Sequence, residues 1–123
     1  MDAVARVNDQ PSSLAGASAP VIDTQHLFRM TLGELSLQRE VLALFDRQAD
    51  LLLPRIRAGA PAMAAASAHT LKGSAVGIGA FKVARAVEQV EQARDAQIGA
   101  AVDTLAAVLE EAKAEIARLL QAA

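Results

Sequence analysis

The 123-residue chain has no cysteine, tryptophan or tyrosine, and only 2% of its residues are aromatic. Without cysteine it can form no disulfide framework, no thiolate nucleophile and no cysteine-ligated zinc site. So few aromatics leave no platform for stacking bases and no aromatic cage for a ligand. Basic charge is also scarce. Lys and Arg number 12 against 14 Asp and Glu, a formal net charge of −2, whereas a protein that neutralises nucleic-acid phosphates carries a basic surplus. No run reaches the roughly 18 uninterrupted apolar residues of a membrane span. The N-terminus also lacks the basic flank and apolar core of a secretory signal. These absences point to a cytoplasmic protein with neither nucleic acid nor a membrane as its partner.

Hydrophobic residues make up 53% of the chain and charged residues 21%, which is enough to build a core and amounts to one domain at this length. Ala, Leu, Glu and Arg dominate, all strong helix formers. Val and Ile do not fall into alternating runs, so strands have no foothold. The expected fold class is all-α. Residues 1–20 are punctuated by Pro11, Gly16 and Pro20 without sustained periodicity and read as a flexible leader; residues 21–123 read as the folded domain. A leader followed by one compact domain fits a free-standing protein.

Five helical stretches are expected in that domain. Asp23 or Thr24 can cap a short helix carrying Leu27, Phe28 and Leu32, ended near Gly33. A second runs from Ser36 to Arg57 with Leu37, Val41, Leu44, Phe45, Gln48, Leu52 and Ile56 along one side, and Pro54 inside it should kink it. After the break at Gly59-Ala60-Pro61, a third helix runs from Pro61 to Val76 and stops at Gly77-Ile78-Gly79. A fourth covers Ala80 to Arg94, with Phe81, Ala84, Val87 and Val90 as its core side. Gly99 separates it from a fifth, where Val102, Leu105, Leu109, Ala112, Ile116 and Leu119 keep the helical period. Short connections make neighbours antiparallel, so the chain predicts an up-down-up-down four-helix bundle with a short extra helix at its N-terminal end.

The third helix holds an unusual string: His69-Thr70-Leu71-Lys72-Gly73-Ser74, set among alanines. Successive helical residues step by about 100°, so with Leu71 in the core His69 faces water. Lys72 and Gly73 follow three and four residues later on the same exposed stripe, and Ala62, Ala65 and Ala66 make a floor of small residues one turn before. An exposed imidazole is substantially neutral at cellular pH and can act as a nucleophile. A phosphoryl group on it would add negative charge that the Lys72 ammonium can offset. Gly73 costs the helix about 1 kcal/mol relative to Ala and removes a side chain where another protein must come close. Lys72 is one of only three lysines, with Lys82 and Lys113.

With Gly79-Ala80 behind it, this string resembles the signature of histidine-containing phosphotransfer (HPt) domains, and the resemblance covers about residues 22–120. It implies a four-helix bundle whose exposed histidine accepts a phosphoryl group from the aspartate of one receiver domain and passes it to another. On that resemblance His69 is the phosphorylated residue, Lys72 the electrostatic partner of the phosphate, and Gly73 the clearance for the receiver's loops. Glu91 falls where the family often places Gln or Glu to hydrogen-bond the other ring nitrogen. The sequence departs from the family pattern at Ala60, where an Asp often caps the motif helix, and at Pro54. The chain is then a phosphocarrier and not an enzyme. It needs no cofactor or metal of its own, Mg²⁺ belonging to the partner receiver, and it works as a monomer on response regulators or hybrid kinases.

Other chemistries fit less well. A carboxylate-bridged metal bundle needs Glu-x-x-His pairs; Asp23 before His26 is the only near match, and Ala66 stands three before His69. His26 reads as an ordinary, partly packed residue of the first helix. Lys72-Gly73-Ser74 has the wrong order for a phosphate-binding loop and lies within a helix. The alternative function is a helical adaptor that binds a receiver or kinase without transfer, which a His69→Gln variant separates from a carrier.

Overall fold

The computed structural model describes residues 19–122, so most of the 1–20 leader lies outside the described residues. Those described are all-helical, without strands: α1 Thr24–Met30, α2 Leu35–Ala58, α3 Pro61–Ile78, α4 Phe81–Gln92 and α5 Gln97–Ala122. No helix among them is long and apolar enough to cross a membrane.

The helices pack as a closed circuit. α2 lies against α3 and α5, α4 lies against the same two, and α1 sits on α3. Each long helix contributes an apolar stripe at helical spacing: Leu42, Phe45, Ala49, Leu52 and Ile56 from α2, and Val102, Leu105, Leu109, Ala112 and Ile116 from α5. Val83 and Val87 of α4 and Leu71 of α3 complete the interior, where Leu71, Val87 and Leu105 have no exposed surface. Pro54 lies inside α2 without ending it.

Both ends of α1 are made by local chemistry. The Asp23 side chain accepts a hydrogen bond from the His26 backbone N–H at 3.1 Å, satisfying one of the first-turn donors that have no partner within the helix. At the other end the Gly33 N–H donates to Phe28 O at 2.8 Å and the Leu32 N–H to Arg29 O at 3.2 Å. This pair of bonds requires a left-handed residue just past the helix, and Leu32 takes it at φ 54°. Leu32 therefore lies outside the short helix expected to carry it, and 87% of it is exposed.

α3 ends by the same device with the residue suited to it. Ala80 N–H donates to Ala75 O at 2.8 Å and Gly79 N–H to Val76 O at 3.1 Å, with Gly79 at φ +83°. Gly77 is helical, so Gly79 alone stops α3, two residues later than the glycine pair suggests. The Gly79 carbonyl then accepts the Asp23 N–H at 2.9 Å, and a Cβ at residue 79 would stand 2.7 Å from Asp23 O. This contact seats α1 on the end of α3.

Three other expectations are corrected. Asp95, at φ 53°, takes the left-handed position between α4 and α5, as aspartate tolerates; Gly99 consequently falls inside the first turn of α5. Phe81, expected in the core, opens α4 and is 37% exposed, its ring edge-to-face with His26 at 5.1 Å between centroids. On α2, Leu44 is 48% exposed, while Leu37 and Gln48 line a cavity against α3 in place of the core; Val41 is partly buried and packs against the core as expected.

Candidate functional site

The site is built by the angular order of α3. Ala68, Leu71, Ala75 and Ile78, joined by Ser67, are its buried residues. Their spacing of three and four holds one stripe inward. The opposite arc is then fixed as surface: Ala62, Ala65, Ala66, His69, Thr70, Gly73 and Val76 are all exposed. Ala60 precedes the helix without a side-chain cap, and Pro61 opens it, its missing N–H falling where no helical acceptor exists.

His69 stands in the open, and among the described residues its side chain has no hydrogen-bond partner. Around it the surface is low. A Cβ built at Gly73 or at Gly77 meets nothing within 4 Å, so both glycines border free space on the side from which another molecule would approach. Neither glycine is required by close packing within the protein.

Lys72 and Glu91 are brought together. Lys72 Nζ donates to Glu91 Oε1 at 3.1 Å, and the two side chains retain 29% and 32% of their exposure. The pair spans α3 and α4, which pack directly. Glu91 was expected at the imidazole; its carboxylate meets the ammonium instead, and among the described residues no hydrogen bond joins it to His69. His26 lies apart, on α1. Its Nε2 is buried without a partner, and its ring lies against Phe81.

Sequence reasoning missed the apolar relief beside His69. Two cavities follow the seam between α2 and α3. One, of about 290 Å³, is lined by Leu37, Leu44, Gln48, Ser74 and Gly77 among others. The other, of about 450 Å³, is lined by Leu51, Met63, Ala66 and Thr70 among others. Ala66 and Thr70 are the residues of α3 near His69 that border the second, which His69 itself does not line. Leu44, Leu51 and Met63 are each about half exposed, at 48%, 54% and 51%. The signal was in α2: Leu44 and Leu51 lie two turns apart beside the stripe that fills the core, making the helix apolar over a wider arc than burial requires.

Among the described residues no group of three or more His, Asp or Glu is placed to hold a metal ion. The arrangement sets an exposed imidazole on a floor of small residues, with a lysine one turn along and apolar side chains of α2 nearby. Compared with models of known families, with curated proteins and with solved structures, the chain finds no match.

Proposed function

We propose that the protein is a histidine phosphotransfer carrier of the HPt type, with His69 as the residue that is phosphorylated. On this reading α2 to α5 form an antiparallel four-helix bundle, α1 is its extra helix, and the chain acts in the cytoplasm as a monomer. The observation that carries the proposal is the exposure of His69 on a floor of Ala and Gly, with Lys72 one turn away.

The chemistry asks little of this chain. A ring nitrogen of His69 attacks the phosphorus of an aspartyl phosphate on a receiver domain. The new P–N bond forms as the P–O bond breaks, and the receiver's carboxylate leaves with that electron pair. The reverse step hands the group to a second receiver. Each receiver would supply its own aspartate as the other phosphoryl acceptor, and Mg²⁺ bound to the receiver would neutralise charge on the phosphoryl oxygens. The carrier supplies a nucleophile held at the surface, clearance at Gly73, and a cation at Lys72 for the charge it gains. The seam between α2 and α3 gives an apolar flank for docking, while rim charges mainly speed encounter.

The test is incubation with phosphorylated receiver domains and mapping of the acid-labile phosphate that results. Label confined to His69, and absent from a His69→Gln variant of unchanged helicity, is the expected outcome. A His69→Gln variant that keeps signalling would instead identify a helical adaptor that binds without transfer.

A further inference from the structure

The geometry points to Glu91 as a counterweight on Lys72: the carboxylate holds the ammonium on the α4 side of α3, and a phosphoryl group reaching His69 must compete with it for that cation. The inference rests on the carrier reading and deepens it, since it concerns what regulates the affinity of the same site for its phosphoryl group.

Three observations support it. The pair is direct, with 3.1 Å between Lys72 Nζ and Glu91 Oε1. It is also partly shielded, because both side chains keep less than a third of their exposure, at 29% and 32%, where attraction between charges is stronger than on an open surface. Finally, it joins two helices: Lys72 sits one turn after His69 on α3, while Glu91 is anchored on α4, 19 residues further along the chain. Glu91 therefore holds the ammonium from a second helix, and its charge offsets part of the attraction that Lys72 offers to a new anion. A phosphoryl group carries roughly −1.5 to −2 charge against the single charge of a carboxylate, so the new anion prevails, but against opposition. Opposition of this kind suits a relay, because a group held less firmly is passed on more readily. Glu91 is thus a positioning residue that acts through Lys72.

A double-mutant cycle with potassium phosphoramidate as donor tests this without a partner protein. The donor's P–N bond breaks, ammonia leaves, and a P–N bond forms at His69. The measured quantity is the initial rate of phosphohistidine formation. Glu91→Gln keeps the shape, removes the charge and should raise that rate about threefold, the fold-change expected from a partly exposed ion pair. Lys72→Ala should lower it. In the Lys72→Ala background, Glu91→Gln should change the rate far less, because the lysine through which it acts is gone.

Equal acceleration in both backgrounds would overturn the inference, since Glu91 would then act by plain repulsion of the donor. A slower Glu91→Gln enzyme-free reaction in both backgrounds would also overturn it and assign Glu91 to the imidazole. An unchanged rate in the Glu91→Gln protein would leave the ion pair purely structural. Each of these leaves the carrier reading standing, provided phosphohistidine forms at His69 in the parent protein. No phosphohistidine there would remove both.

Discussion

Gly73 is the residue whose cost and use can be separated most cleanly. It lies inside α3, where glycine is worth about 1 kcal/mol less than alanine, and a Cβ there meets nothing within 4 Å. Gly73→Ala should therefore stabilise the fold by about 0.5–1 kcal/mol, measured by urea denaturation. Gly73→Leu should keep much of that gain, since leucine is also a strong helix former, yet weaken binding to a receiver domain by about tenfold or more through lost clearance. Titration calorimetry with a receiver decides the second point: undiminished affinity in the leucine variant would dismiss clearance as the reason for the glycine. Lys72, expected on the same open stripe, is half-buried and turned toward α4, whereas the exposure of His69 and Gly73 was legible from sequence because one helical period, set by Leu71, fixes both. The Lys72–Glu91 pair was not. It joins residues 19 apart and depends on how α3 and α4 pack, which no periodicity within one helix specifies.

At the scale of elements, the end of α3 does two jobs through Gly79. Its left-handed conformation, φ +83°, closes the helix, and its carbonyl receives the Asp23 N–H that seats α1. Gly79→Ala meets both a backbone conformation unfavourable to a β-carbon and a Cβ 2.7 Å from Asp23 O, an atom of the main chain that can move only with α1. The variant should lose about 1–3 kcal/mol in thermal or urea unfolding. Amide exchange at Leu27 and Thr31 should accelerate more than exchange at Leu105, because α1 loosens first. Equal protection at all three would show that α1 does not hang on this contact. The contrast with Leu32 marks how far the helix ends could be read. A glycine pair signals a stop, but only bonding decides which glycine turns left-handed, and nothing in its side chain marks a leucine for that conformation. The five helices and the stripe of α5 were legible because their apolar spacing persists over many turns, whereas α2 buries Leu42 and Ala49 beside Phe45, Leu52 and Ile56 and turns Leu44 outward. Phe81 and Leu44 were misplaced for a related reason. Periodicity shows which residues share a face, but whether that face meets the interior or a neighbouring seam depends on the angle at which helices lie together.

For the molecule as a whole, the circuit of helices is closed where α5 returns to α2, and polar chemistry holds part of that closure. Lys113 of α5 donates to Asp46 Oδ1 at 2.7 Å and to Asp50 Oδ1 at 2.8 Å on α2, contacts that span 67 and 63 residues of sequence. Desolvation pulls the ammonium pKa down, but hydrogen bonds and attraction from both aspartates outweigh it, leaving the group above its ordinary 10.5. A folded-state value above the unfolded one means the folded protein holds this proton more tightly. Its stabilisation is complete below the unfolded value and fades as pH rises through the folded value. Lys113→Met removes the charge but keeps most of the stem that covers α5. It should cost about 0.5–1 kcal/mol at neutral pH, a modest figure because solvent reaches both aspartates. The difference from the parent should be flat between pH 6 and about pH 10, then shrink as the lysine deprotonates in both states. It should also narrow in 1 M salt, where the screening length falls to about 3 Å. Paired urea titrations at pH 7 and pH 11, with and without salt, measure all three. A difference that persisted unchanged at pH 11 would mean that the methionine disturbs packing between α5 and α2, and that the closure owes nothing to the ammonium.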